Sequence, residues 1–171
     1  MPKLEKLNMK KLIIALTLLF INPLFSQEEE FKSIDTKEQN DQWNTKFKTE
    51  NLEQQIKLIQ ERLLSDSNIF YTPTNAHGET QLPEGFQSTT QYRPLYILKS
   101  QNSEPILLES NMSMERVTLI NSHLTKNNVE NISFSNDMKS QSFYGARAKS
   151  GLITINFSDE KVLEKLATKE R

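Results

Sequence analysis

The sequence predicts an α+β fold, a small mixed sheet with helices that is preceded by an amphipathic helix. Two patterns support this prediction. Residues 152–157 alternate between the two sides of a strand (Leu-Ile-Thr-Ile-Asn-Phe), and residues 41–65 carry apolar side chains at helical spacing. A chain of 171 residues is long enough for one domain with flanking segments.

Residues 41–65 are predicted to form one amphipathic helix, because no Gly or Pro interrupts them and their apolar residues follow one face. This stripe consists of Trp43, Phe47, Leu52, Ile56, Ile59 and Leu63. The stripe either packs onto the sheet of the same chain or binds a partner through Trp43 and Phe47. The pattern leaves both alternatives open.

Residues 93–171 are predicted to form the folded domain. Residues 95–98 and 106–108 are expected to form a hairpin across the turn at Asn102-Ser103, and residues 129–135 and 152–157 two further strands. Three helices complete the prediction. They are a helix capped by Ser113 that reaches about residue 128, a short helix capped by Asn136 that carries Met138 and Phe143, and a helix over residues 159–169.

The segments before this domain have a different composition. Residues 27–40 are acidic and polar and are predicted to be a disordered leader. Residues 66–92 contain Pro73, Gly78, Pro83 and Gly85 without a sustained period, which predicts a linker or a long loop. If it is a loop, Ile69-Phe70-Tyr71 is expected to attach it to the body.

The first 26 residues have the pattern of a secretory signal peptide. Lys10-Lys11 precede an apolar run over residues 12–21, which Pro23 ends before a small residue, Ser26. A membrane-spanning helix needs about 20 residues, and this apolar run is shorter. The sequence therefore predicts a periplasmic or secreted protein with no stable membrane span after cleavage. Whether translation starts at Met1 or Met9 stays open.

Composition restricts the classes of function. The chain has no cysteine, which excludes disulfides, thiol nucleophiles and cysteine-bound metals. Its formal net charge is −1, and residues 27–171 alone carry 17 basic and 21 acidic residues, so nucleic acid is not expected as a partner. The two histidines, His77 and His123, have no metal-ligating neighbour at helical spacing, and no nucleotide-binding or nucleophile motif is present. We expect no metal, no cofactor and no enzymatic activity.

The segment from Tyr144 to Ile155 reads Tyr-Gly-Ala-Arg-Ala-Lys-Ser-Gly-Leu-Ile-Thr-Ile. It resembles the C-terminal part of the plug domain of TonB-dependent outer-membrane receptors. In that family an Ile-rich strand, a short helix, a Tyr-Gly-x-Arg turn and a Gly-Val-Ile-x-Ile strand follow one another. The likeness covers about residues 93–157 and implies a plug-like α+β domain.

The residues of this motif have predicted structural roles. Gly145 suits the left-handed position that ends a helix, Gly151 lets the chain bend into the last strand, and the Tyr144 ring can cover the sheet edge. Arg147 is expected to fix the turn through a carboxylate or backbone carbonyls. In the alternative interpretation, Arg147 and Lys149 bind an anionic ligand or partner.

The chain also departs from the family. It has Lys99-Ser100 where Asp-Gly is usual and Ser150 where Asn is usual, and residues 27–171 are too few for the receptor barrel. The sequence therefore predicts a plug-like module without a barrel. Its expected function is a non-catalytic interaction module for an envelope protein partner. The alternative is a soluble periplasmic protein that binds a small ligand through the loop of residues 66–92.

Overall fold

The computed structural model describes residues 33–72 and 82–167. The predicted signal peptide, residues 27–32 of the predicted leader, and residues 73–81 lie outside the described residues. The helices are α1 (Lys37–Thr49), α2 (Leu52–Asp66), α3 (Met114–His123), α4 (Met138–Tyr144) and α5 (Glu160–Ala167), with a 3-10 turn at Gly145–Ala148. The strands are β1 (Ile69–Tyr71), β2 (Ser88–Thr90), β3 (Leu95–Lys99), β4 (Ile106–Leu107), β5 (Val129–Ser135) and β6 (Leu152–Phe157).

A four-stranded mixed sheet organises the domain, in the order β4-β3-β6-β5. Strands β3 and β6 are parallel, with Leu95 opposite Leu152, while β4 and β5 pair antiparallel with their neighbours. The sheet and the helices confirm the predicted α+β class. Strands β1 and β2 form a separate parallel pair.

The amphipathic region differs from the prediction, because it forms two helices instead of one. A capping box of Thr36 and Gln39 starts α1 at Lys37, inside the segment assigned to the leader. Helix α1 ends at Thr49, and Asn51 caps α2 by accepting a hydrogen bond from the backbone N–H of Gln54. The apolar stripe crosses the break at the five-residue step from Phe47 to Leu52.

Residues 66–92 are also more ordered than predicted where the structure describes them. Strands β1 and β2 pair here, and Ile69 and Tyr71 are buried, so this end of the segment is attached to the body. The Asn111 side chain fixes β1, because its Oδ1 accepts from the Tyr71 N–H and its Nδ2 donates to the Tyr71 carbonyl. A side-chain amide thus provides hydrogen bonds that a neighbouring strand would otherwise provide.

Other boundaries shift by a few residues. Helix α3 ends at His123 instead of near residue 128, and Asp137 instead of Asn136 caps α4, accepting from the Ser140 N–H at 2.7 Å. Both Asn and Asp are good N-caps, so composition alone does not choose between adjacent candidates.

The two sides of the sheet are packed differently. On the side covered by helices, the sheet residues Tyr96, Leu98, Ile153, Ile155 and Phe157 join helix residues such as Phe47, Ile59, Ile120 and Leu163 in one buried cluster. On the other side a small cluster of Leu95, Ile97 and Leu152 packs with Tyr144. The main core therefore lies between the helices and one face of the sheet.

Across residues 33–72 and 82–167, every helix is too short or too polar to traverse a lipid bilayer.

Candidate functional site

Trp43 and Phe47, which the sequence offered as partner-binding residues, pack inside this chain. Their rings stack with centroids 5.0 Å apart, and Phe47 also contacts the Phe134 ring at 6.1 Å. Phe47 has no exposed surface, and the Arg62 guanidinium lies 5.5 Å from the Trp43 ring centroid. The partner-binding interpretation of Phe47 is therefore corrected, because its apolar surface is already removed from water by the core of its own chain.

The Tyr144-Gly145 turn closes α4 against the sheet. Gly145 has φ of +63°, and its N–H donates to the Gln141 carbonyl, which satisfies one of the last carbonyls of the helix. The ring of Tyr144 packs against the small cluster of Leu95, Ile97 and Leu152. Helix α4 is therefore held by the sheet at its C-terminal end.

Gly151 packs closely against Phe134 of β5. It has φ of +121°, and a Cβ atom at this position would lie 2.8 Å from Cε2 of Phe134. The Phe134 ring therefore occupies the space that any other side chain at residue 151 needs. Glycine is required here for two reasons, backbone conformation and close packing.

The turn before β6 is also fixed by α1. This contact was not predicted from the sequence. The Nδ2 groups of Asn40 and Asn44 both donate to the Ser150 carbonyl, at 3.2 and 3.3 Å. The Ser150 hydroxyl donates to the Gln91 carbonyl at 2.9 Å. Asn40 and Asn44 are four residues apart on one helix, and that spacing was the available signal.

Arg147 and Lys149 are placed differently by the turn. Arg147 is half-buried, and its Nη2 donates to the Leu108 carbonyl at 3.4 Å, which links the turn to the segment after β4. Lys149 is exposed. Of the two expected roles for Arg147, this contact corresponds to binding a backbone carbonyl.

A buried ionic cluster of Arg62, Asp66 and Arg93 was also missed. The Arg62 Nε donates to Asp66 Oδ2 at 2.8 Å, and the Arg93 Nε lies 3.4 Å from the same oxygen. The three side chains are 1%, 3% and 8% exposed. Two guanidinium groups and one carboxylate leave a net positive charge in the interior, which needs further polar partners.

Backbone carbonyls provide those partners. Arg62 donates to the Tyr92 carbonyl, and Arg93 donates to the carbonyls of Asp66, Ile69 and Ser110. The ionic cluster therefore joins α2, β1, the approach to β3 and the segment before α3. Its sequence signal was the Arg62–Asp66 pair at i,i+4, with Leu63 and Leu64 between the two charges.

Burial shifts the proton affinities around this cluster. Desolvation lowers the pKa of Arg93, and the Asp66 carboxylate opposes that shift. Desolvation also raises the pKa of the fully buried Tyr96 hydroxyl, and of Tyr71 beneath the Arg93 guanidinium. The tyrosines therefore stay neutral near pH 7. The role of the ionic cluster is to hold four segments of the chain together.

The α4 surface, defined here as Met138, Lys139 and Phe143, has the opposite character. Met138 is 84% exposed and Phe143 is 74% exposed, the highest values among the large apolar side chains of the described residues. Lys139 between them is also exposed. The helix begins directly beyond β5, where the Ser135 and Ser140 hydroxyls are hydrogen-bonded at 2.7 Å. A rigidly attached helix therefore presents two large apolar side chains to solvent.

No family model, no curated protein sequence and no solved structure matches this chain.

Proposed function

We propose that this protein is an exported, non-catalytic interaction module of a bacterial envelope, with a plug-like domain that binds a protein partner through the α4 surface. The observation that carries the proposal is the exposure of Met138 and Phe143 on a helix that is otherwise well anchored. Exposed apolar surface on a folded domain can mark a site of protein association, and here one short helix supplies both side chains.

The way in which α4 is anchored favours binding. Asp137 caps its start, and the Gly145 turn and Tyr144 hold its end against the sheet. Because the helix is already ordered, a partner does not have to offset the entropy of folding it. Burying a side chain the size of Met or Phe contributes about 1.5–3 kcal/mol. The two anchors therefore supply part of the binding free energy, and contacts around them must supply the rest.

Residues 1–26, with the pattern of a signal peptide, support export, and the motif from Tyr144 to Ile155 supports a plug-like domain. The succession of β5, a short helix, a glycine turn and β6 supports the resemblance, since the same order of elements follows from the family motif. Because Met138 and Phe143 are both apolar and exposed, we expect a partner segment that is mainly apolar.

The test is site-specific photo-crosslinking in an exporting bacterial host. The full chain carries a photoreactive residue at position 143, and the crosslinked envelope protein is identified by mass spectrometry. Met138→Ser, with the probe at position 143, should reduce the crosslinked product at least 10-fold. Gln141→Ala on the same helix is the matched control and should leave it unchanged.

Two outcomes contradict the proposal. If the probe at position 143 yields no crosslinked protein, or the same yield in Met138→Ser as in the control, the α4 surface is not a binding site. If fractionation finds the chain only in the cytoplasm, the envelope assignment is wrong. Thermal melts of each variant distinguish loss of binding from loss of folding, because Met138 and Gln141 are both exposed.

A further inference from the structure

We propose that Met138 is an oxidation site of this protein, and that its sulfoxide weakens partner binding through the α4 surface while the domain stays folded. The oxidant is a peroxide, and the modified group is the thioether sulfur. The oxidation site is independent of the function proposed above, whereas the effect on binding rests on that function.

The first observation is the set of sulfur atoms in the molecule. The chain has no cysteine, so methionine is its only sulfur-containing residue type. The described residues contain three methionines, which are Met112, Met114 and Met138. Thiolates and thioethers are the protein groups that peroxides oxidise most readily. Because this chain offers a peroxide no thiolate, its methionines are the groups that react.

The second observation is that the three methionines differ strongly in exposure. Met138 is 84% exposed and Met114 is 48% exposed. Met112 is half-buried and packs against the main core. The oxidant has to reach the sulfur from solvent, so the rate of oxidation follows exposure. The structure therefore predicts the order Met138, Met114, Met112.

The reaction at Met138 is an oxygen transfer. The thioether sulfur attacks one oxygen of hydrogen peroxide, an S–O bond forms, and the O–O bond breaks. The sulfur loses two electrons and becomes a sulfoxide. The proton of the transferred oxygen moves to the leaving hydroxide, which gives water. The reaction needs access to the sulfur, which the exposure of Met138 provides.

The sulfoxide changes the α4 surface chemically. It replaces a flexible apolar group by a polar one that retains its hydrating water, and such a change disrupts interfaces that methionine anchors. Met138 is one of the two large apolar side chains that α4 presents to solvent. Its oxidation should therefore weaken partner binding about as much as Met138→Ser does.

The fold does not depend on the Met138 side chain. Among the described residues, the two buried clusters form without it. Helix α4 is held by other groups, since Asp137 caps its start and Tyr144 packs on the sheet at its end. Oxidation of Met138 is therefore expected to change the surface alone, whereas oxidation of Met112 would place a polar group against the core.

The first experiment measures the order of oxidation. The full chain from an exporting host is treated with hydrogen peroxide, and the sulfoxide at each methionine is followed by peptide mass spectrometry. Met138 should react about twice as fast as Met114 and about tenfold faster than Met112. At the stage where only Met138 is oxidised, the thermal melting midpoint should equal that of the untreated chain.

The second experiment measures binding. Chains that carry the photoreactive residue at position 143 are treated with peroxide, freed of it by catalase, and irradiated with an envelope preparation. Oxidation should reduce the crosslinked product about tenfold in the wild type and in Met114→Leu. Met138→Leu stays apolar but cannot form a sulfoxide, so its product should be unchanged. Methionine sulfoxide reductases with dithiothreitol should restore the wild-type product.

Four results would overturn the inference. They are oxidation of Met112 or Met114 before Met138, a lowered melting midpoint when only Met138 is oxidised, equal crosslinking before and after oxidation, and equal loss in Met138→Leu and wild type. The two proposals fail distinguishably. If Met138→Ser reduces crosslinking but the sulfoxide does not, only this inference is wrong. If position 143 gives no product in untreated chains, the proposed function is wrong and the effect on binding is lost with it, while the order of oxidation is still decided by the first experiment.

Discussion

The two faces of the sheet differ most clearly along β6. Ile153, Ile155 and Phe157 are buried under the helices, with at most 1% of each exposed. On the other face Leu152 is buried beneath Tyr144, but Thr154 and Asn156 are only half-buried. The covered face therefore holds the fold together, whereas the second face is apolar only where α4 and its turn meet it.

The covered face also borders the buried charges. Arg62, Asp66 and Arg93 all influence the pKa of the Tyr96 hydroxyl, and Tyr96 belongs to the main core. The comparison teaches that the α4 surface, which is proposed for binding, lies away from the groups on which folding depends most. Substitutions can therefore separate stability from association.

The largest expected effect is at the ionic cluster. Asp66→Ala leaves two guanidinium groups buried without a carboxylate, and we expect a loss of about 3–5 kcal/mol in the free energy of unfolding. Asp41→Ala is the control, since its pair with Lys37 has the same i,i+4 spacing but is exposed to solvent. Urea denaturation should show no measurable change for that variant. Equal losses would show that burial is not the cause.

Neighbouring residues of β6 provide the next contrast. Ile155→Ala, on the covered face, should cost about 2–5 kcal/mol because it leaves a cavity in the main core. Thr154→Ala, on the other face, should change stability by about 0.5 kcal/mol or less. Both are measured by chemical denaturation, and similar costs at the two positions would contradict the assignment of the faces.

Replacing either glycine of the turn by alanine is expected to lower the free energy of unfolding, and the loss should be larger at Gly151 than at Gly145. Gly145→Ala meets no atom within 4 Å and should cost about 1–3 kcal/mol for the backbone conformation alone, because φ of +63° with ψ of −147° suits only glycine. Gly151→Ala adds a clash with Phe134, so we expect about 2–4 kcal/mol. In a double-mutant cycle, Phe134→Ala should recover part of the Gly151→Ala loss and none of the Gly145→Ala loss.

The smallest effect concerns the cap of α4 and its dependence on pH. The Ser140 N–H and hydroxyl hold the pKa of the Asp137 carboxyl below its ordinary value of 3.8. A carboxyl whose pKa is lowered by folding stabilises the folded state above its unfolded pKa, and this contribution disappears as the pH falls through the folded pKa. The thermal stability difference between wild type and Asp137→Ala should therefore be larger at pH 7 than at pH 3. A difference that does not change with pH would contradict the role of the charged form.

Local patterns predicted most of the elements. The alternation of residues 152–157 predicted both the strand and its two faces, because side chains in a strand point to opposite sides. The same kind of reasoning did not detect the break between α1 and α2, since the stripe continues across Asn51. The five-residue step between Phe47 and Leu52, together with a capping residue, was the overlooked signal.

The parts of the site that were not predicted depend on contacts between residues that are far apart in the sequence. In the sequence, residue 93 was only the first residue of the predicted domain, and nothing local links Arg93 to Asp66 or to the carbonyl of Ser110. Phe143 was recognised as an apolar residue of a short helix, but its exposure depends on how α4 meets the sheet. The plug-like resemblance and the envelope partner stay predictions.

The hydrogen bonds from Asn40 and Asn44 to Ser150 have a consequence for how the chain is made. They span 110 and 106 residues, so α1 leaves the ribosome long before its partner exists. At about 5–20 residues per second, that delay is roughly 5–20 s. During this interval the Trp43 and Phe47 rings have neither Phe134 nor the later strands to cover them. The nascent chain thus exposes the two aromatic side chains of the α1 segment, to which a chaperone can bind, and the last third of the protein determines when that exposure ends.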